Sequence, residues 1–437
     1  MIVRGGSVVT TEGVLPADLE VQDGRIAAIA PELPAQGDEI DARGLAVFPG
    51  LIDVHVHFNE PGRTEWEGGA TGSSALAAGG GTLFFDMPLN SSPCTVDAAA
   101  FDAKRAALEK VSYTDFALWG GIVPGNRGHL GELAGRGVIG FKAFMADSGL
   151  PEFLRSDDRT LYEGMCTAAR LGLPVAVHAE NNDLVAARGS SIRDYLASRP
   201  VIAEVEAIRR AAVLAKEAGA SLHIVHVSSG RGVAEALEAR VSGADISIET
   251  CAHYLYFTDE DMQRIGAIAK CAPPLRPSAE RDALHAALLR GDVDIVGSDH
   301  SPAPLSMKQG DNFFSVWGGI AGVQSTLAVL LDRGCRPERI AAVAAANPAA
   351  RFHIARKGSL AIGNDADFAL VDLDSTYTVT KDRLFQRHGL SPYLGAEFRG
   401  VVRRTVLRGE TIFQDGKIAG APRGRLVTPH ATTRIHT

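Results

Sequence analysis

Apolar positions along the chain fall into two rhythms. From about residue 45 onward, short runs rich in valine, isoleucine and phenylalanine alternate with longer stretches of helical, 3.6-residue period. That alternation is the pattern of a parallel sheet built from β-α units. Eight runs are legible, at residues 47–58, 82–87, 115–122, 138–145, 174–180, 222–228, 245–253 and 293–300. Eight units predict an α/β fold closed into a (β/α)8 TIM barrel. Between runs, residues 201–215 place Val201, Val205, Ile208, Ala212 and Ala215 on one helical face, with Glu206 and Arg210 able to pair on the solvent side. Thr258, before Asp259-Glu260-Asp261, and Ser278, before Ala279-Glu280, are expected helix N-caps with acids in the first turn.

The two ends of the chain read differently. Residues 1–46 and 358–437 are short strands punctuated by glycine turns, each with an Asp-Gly hairpin signal, Asp23-Gly24 and Asp415-Gly416. They predict a small β-sandwich made from both termini, attached to a barrel spanning 47–357.

Composition narrows the class. The 437 residues suit one large barrel with a smaller module, and 46% apolar against 22% charged residues is the balance of an ordinary globular protein. A formal net charge of −8 with no lysine-arginine block predicts no nucleic-acid partner. Five scattered cysteines, Cys94, Cys166, Cys251, Cys271 and Cys335, without a Cys-x-x-Cys pair, fit a reducing compartment. The N-terminus enters a strand pattern without a leader, and no apolar run reaches the ~18 residues of a membrane span. The expected location is the cytoplasm, with no membrane partner.

Polar residues cluster where a barrel places its chemistry, at the C-terminal ends of the strands. The first run ends Asp53-Val54-His55-Val56-His57, and two histidines two apart on a strand share a face and can chelate one ion. A His-x-His pair alone is weak, because strand histidines often serve only local hydrogen bonds. The fourth run sets Lys142 in an apolar strand, the fifth ends at His178, and the eighth closes on Asp299. In the sixth, alternation puts Leu222, Ile224 and His226 on one face and His223 on the other, so a single inward histidine is expected; His226 is chosen because it lies nearest the strand end. Four neutral imidazoles and one carboxylate suit zinc or a similar divalent ion. Lysine is the odd member. An ammonium ~4 Å from a unit charge at an effective dielectric near 20 feels ~4 kcal/mol of repulsion, so Lys142 beside metal ions must be neutral or made anionic.

Taken together, these motifs resemble the amidohydrolase superfamily, over nearly the whole chain from Val3 to Ile418. The resemblance is carried by Pro49-Gly50-Leu51-Ile52-Asp53-Val54-His55-Val56-His57 and Gly297-Ser298-Asp299-His300-Ser301-Pro302. Within it the chain is similar to the cyclic amidohydrolases: dihydroorotases, dihydropyrimidinases or hydantoinases, and allantoinases. The segments 59–67, 86–93 and 118–126 are similar to the allantoinase branch. Asn59 stands where dihydroorotases carry a carboxylate-clamping arginine, and Asp147 where hydantoinases usually carry an oxyanion-donating tyrosine. Ala252, Ala272 and Gly81 depart from the usual allantoinase pattern.

The resemblance implies two divalent metal ions per subunit, zinc foremost, with cobalt, manganese or iron as alternatives. His55 and His57 would hold the buried ion with Asp299, His178 and His226 the outer one, and Lys142, carboxylated by carbon dioxide to a carbamate, would bridge them. Asp299 would act as general base and then acid, and Asn90, Ser301 and Arg63 would contact substrate. The implied reaction is hydrolysis of the hydantoin-ring amide of allantoin to allantoate by a metal-activated hydroxide. A homotetramer is also implied. A hydantoinase or dihydropyrimidinase is the alternative within the class, and a barrel that has lost catalysis and serves as a scaffold is the alternative outside it. His253 ends a run near the mouth without a role, and His300 is expected to turn away from Asp299.

Overall fold

The β-rich runs divide between two structures in the computed structural model, which describes residues 1–35 and 37–430. The last seven positions assigned to the terminal module, 431–437, lie outside the described residues. Strands Leu51–Val56, Gly81–Asp86, Asp115–Leu118 continued by Gly120–Gly121, Phe141–Phe144, Val175–His178, Leu222–Ile224, Ile246–Cys251 and Ile295–Gly297 follow one another around a barrel. Neighbours pair in parallel. A parallel bridge between Val56 and His300, with His57 N donating to His300 O at 2.8 Å, closes the ring. Alternation then sorts the side chains. Ile52, Val54, Leu83, Phe85, Ala117, Trp119, Ile139 and Val225 fill the barrel, while Phe84, Phe116, Phe141, Val175 and Val177 pack under the helices. Each of the larger aliphatic and phenylalanine side chains contributes roughly 1.5–3 kcal/mol by leaving water. The fold is therefore a TIM barrel carrying a β-sandwich module made from both termini.

The terminal strands run in the order Lys417–Ile418, Glu410–Gln414, Glu397–Leu407, Phe368–Thr378, Ala46–Pro49, Ile2–Val9, Val14–Gln22, Arg25–Ala30, with Glu39–Asp41 beside Ile2–Val9. Ala46–Pro49 lies antiparallel to the C-terminal strand Phe368–Thr378 and parallel to Ile2–Val9, which joins the two ends of the chain. Both Asp-Gly signals make two-residue hairpins with left-handed φ at each position, 50° and 75° for Asp23-Gly24 and 46° and 79° for Asp415-Gly416.

Three expectations are corrected. The run 47–58 is two strands. It breaks at Gly50, where an added Cβ would lie 2.2 Å from Thr82 Oγ1, so the chain can pass from module to barrel only without a side chain. Helix Val201–Ala218 buries Ala203, Ala207, Ile208, Ala211, Ala212 and Ala215 and leaves Val201 and Val205 half-buried. Small alanines let the helix lie close to its neighbours, which turns the buried face away from the valines; the Glu206–Arg210 pair forms as expected, at 3.3 Å. Ser278 is the first helical residue rather than the N-cap, a position taken by Pro277. Thr258 does cap its helix, in a reciprocal box with Asp261. Among the described residues no helix is long and apolar enough to cross a membrane.

Candidate active site

The first strand does not keep simple alternation. Its register shifts between Asp53 and Val56, so that after Ile52 and Val54 inside the barrel, Val56 and Phe58 pack outside and His55 and His57 aim at the mouth. Asp53 fixes this bend by accepting from the backbone N–H groups of His55 and Ser298, each at 3.1 Å. Ser298 precedes Asp299, whose left-handed φ of 45° turns its carboxylate inward. Asp299 Oδ1 lies 3.3 Å from both His55 Nε2 and His57 Nε2. Burial pushes the Asp299 carboxyl up, yet the two imidazoles prevail and hold it below the usual carboxylate range. His55, His57 and Asp299 offer ligand atoms all within 4.8 Å of one another.

Across the mouth, His178 Nδ1 faces His226 Nε2 at 3.0 Å. The His226 ring centroid is 5.3 Å from that of His55, which links the two halves of the cluster. His226 reaches this place by a route that alternation did not predict. Leu222 and Ile224 pack outside the barrel, so His226, of the same parity, would follow them. A φ of 40° at His226 flips it inward instead. The expectation of a single inward histidine is therefore corrected: His223 also faces the interior, deeper down, stacked on Trp119 at 6.4 Å.

Lys142 is fully buried beneath these rings, and its Nζ has no hydrogen-bond partner among the described residues. Burial lowers its pKa to about 8, against the pull of Glu249 and Asp299. A buried ammonium with three unused donors is costly. An amine converted to an anionic ligand between cations removes that cost, and two imidazole pairs with one carboxylate are suitable donors for divalent ions. The residues present thus fit a two-metal centre.

Two carboxylates behind the cluster escaped the sequence reading. Glu249 Oε1 accepts from His55 Nδ1 at 2.9 Å and its Oε2 meets His223 Nε2 at 2.9 Å, while His223 Nδ1 continues to Ser247 Oγ at 2.8 Å. Glu180 Oε2 meets His178 Nε2 at 2.8 Å and pairs with Arg199. Both carboxyls are completely buried. Burial pushes them up, but their histidine and arginine partners bring each down to about 2. By engaging one ring nitrogen, each leaves the other for a metal: Nε2 of His55 and Nδ1 of His178. Glu180, two residues after His178 at the same strand end, was the available signal.

A cavity of about 310 Å3 opens over the cluster and includes Asn90, Asp147, Lys270, Ala272 and Ser301 in its lining. Asn90 Nδ2 donates to Ser301 Oγ at 3.2 Å, so the two expected substrate contacts stand side by side. Arg63 is not among the lining residues. It stacks on Trp66, pairs with Glu152 and donates to the Asn90 carbonyl at 3.1 Å, supporting the wall from behind. His300 turns away, its Nδ1 accepting from the N–H groups of Gly322 and Val323 at 3.2 and 3.3 Å. His253 sits in the short helix Ala252–Tyr256, outside the close donor set, and burial lowers it to about 4. Gly81 begins its strand at the end remote from the mouth.

A closed β/α barrel with histidines, an aspartate and a buried lysine converging at its C-terminal mouth defines a metal-dependent hydrolase. The Amidohydrolase family model matches residues 46–412. An allantoinase of Solibacter usitatus is 64% identical, over 99% of this chain and 97% of its own length. One of Rubrobacter xylanophilus is 57% identical, over 98% and 97%. Among solved structures, the L-hydantoinase (dihydropyrimidinase) of Arthrobacter aurescens superposes with a TM-score of 0.94 at 33% identity, covering 98% of this chain and 99% of that one. The chain belongs to the amidohydrolase family, and it is a metal-dependent cyclic amidohydrolase.

Proposed function

We propose that this chain is an allantoinase, opening the hydantoin ring of allantoin with water to give allantoate. What carries the reading is the convergence of His55, His57 and Asp299 with His178, His226 and the buried Lys142 at the barrel mouth, in a chain whose curated relatives, 64% and 57% identical over nearly their full length, bear that name. His55, His57 and Asp299 would hold one divalent ion, His178 and His226 the other, and a carbamate on Lys142 would bridge them. When bound, such ions polarise a carbonyl and lower the pKa of a water from about 15.7 to about 7.

The protein's own groups do the rest. Asn90 and Ser301 orient the ring and its ureido arm. An Oδ of Asp299 takes one proton from the attacking water and delivers it to the ring nitrogen as the C–N bond breaks. The water's other proton is lost to solvent, so the single ring-opened product carries a carboxylate and a neutral ureido group. Zinc is the proposed metal, the homotetramer the proposed assembly and the cytoplasm the proposed location. The same reading divides the chain into a terminal β module, drawn from the sequence as 1–46 with 358–437 and extended to Pro49 by the pairing of Ala46–Pro49, and a hydrolase barrel between them that ends at 357.

A hydantoinase is the second reading, favoured by the Arthrobacter aurescens neighbour. Asp147, where hydantoinases usually carry a tyrosine, weighs against it. Turnover of allantoin, hydantoin and dihydrouracil by the metal-loaded protein separates the two. Allantoin should be hydrolysed fastest; a rate on either alternative higher by about tenfold, or ~1.4 kcal/mol of transition-state binding, rejects the proposal.

A further inference from the structure

The stretch 314–319 lines one wall of the cavity over the donor cluster, and two lysines bind carbonyls between Phe313 and Gly319. Lys270 Nζ donates to Phe313 O at 2.7 Å, Phe314 O at 3.2 Å and Val316 O at 2.5 Å. That uses all three donors of an ammonium. Lys308 Nζ donates to Trp317 O at 3.0 Å and Gly319 O at 2.7 Å. Both side chains are nearly buried, and neither belongs to the metal cluster.

The wall also touches a proposed substrate contact. Ser301 N donates to Ile320 O at 2.9 Å, which holds the strand end carrying Ser301 against the wall, and Gly319 N donates to Lys270 O at 2.7 Å. The approach is so close that a Cβ on Gly319, at φ 129°, would lie 2.1 Å from Ser301 O. Whatever fixes Gly319 therefore fixes Ser301.

We propose that Lys270 and Lys308 are positioning residues that set the shape of the substrate-facing wall, acting through Gly319 on Ser301, and thereby select the ring that is bound. The proposal rests on the reading of this cavity as the ring-binding site. Removing either ammonium leaves these carbonyls without their buried donor, so the stretch rearranges while the metal ligands, none of which bonds to either lysine, keep their places.

The test compares Lys270→Met, Lys308→Met and Lys308→Arg in the full-length, metal-loaded protein. In the methionine variants KM for allantoin should rise about tenfold with kcat within about twofold, and the preference for allantoin over hydantoin should narrow. Amide hydrogen exchange across 313–319 should quicken while that of the barrel strands stays as before. Lys308→Arg, which keeps a cation and its donors, should recover most of the KM. Unchanged KM and exchange, or a fall in kcat alone, overturns the proposal. Lys308 does not line the cavity, so its variants decide the matter if Lys270→Met does not fold. If the native protein opens none of the rings, the functional reading fails, and the exchange comparison still decides whether the lysines hold the wall.

Discussion

Glu249 binds two histidines at once, and its placement shows what a single side chain contributes to this site. A carboxylate that fixes the orientation of a ligating imidazole is typically worth 10–100-fold in metal affinity. Glu249→Gln should weaken the ion held by His55, and Glu180→Gln the ion held by His178, each by roughly that factor, read by competition with a chelator. Equal weakening of both ions by either variant would contradict the assignment of one carboxylate to each half. The pH dependence has a definite sign. Both carboxyls are depressed from 4.5 to about 2, so their contribution to stability is complete above 4.5 and is lost as pH falls toward 2. At this scale His55, His57, Lys142, His178 and Asp299 were legible in the sequence from residue type and strand-end position. His226 was chosen for its nearness to the strand end, but the expectation that only one of the two histidines faces inward fails, because a left-handed φ at one residue is invisible to a period-two pattern.

Among elements, the parallel runs were readable because strands buried on both faces are nearly continuous apolar stretches. Their limits were less so. A run that belongs partly to one sheet and partly to another has the same composition throughout, and only Gly50 marks the change. Gly50→Ala should force its Cβ into Thr82 and cost roughly 1–3 kcal/mol of stability, measured by denaturant unfolding. A variant as stable as the native protein would mean that the strand junction relaxes freely. Helix Val201–Ala218 carries a similar lesson: valines dominate a periodicity count, whereas alanines allow close approach and so decide which face is buried. Glu204, on that helix, is buried because Ser228 and Ser229 donate to it, a contact between elements that no local pattern contains.

The whole molecule is joined at a buried ion network. Lys357 Nζ contacts Asp115 at 2.7 Å, Asp367 at 2.6 Å and Asp365 at 3.0 Å, and Arg408 also pairs with Asp115, at the start of a barrel strand. Lys357→Met would leave these buried carboxylates short of a cation, and breaking a buried pair typically costs about 3–5 kcal/mol. A clear fall in the thermal midpoint is expected, with little change in KM because the network is remote from the mouth; an unchanged midpoint would show that the module and barrel do not depend on it. Burial pushes the Lys357 ammonium down, but Asp367 and Asp115 prevail and hold it above its ordinary 10.5, so the contribution is intact at neutral pH and fades only as pH rises beyond that value. The joining of both termini into one module was legible from their shared hairpin signals, but this seam was not, since its members lie 242 residues apart.

In the proposed site six side chains from five strand ends hold two divalent ions through a carboxylated Lys142. Metal bound per chain, measured together with allantoin turnover for the native protein and Lys142→Ala, tests it most directly. The native chain should bind about two equivalents and turn over allantoin, and the variant should lose metal and activity together. A Lys142→Ala protein that keeps both ions and its rate would contradict it.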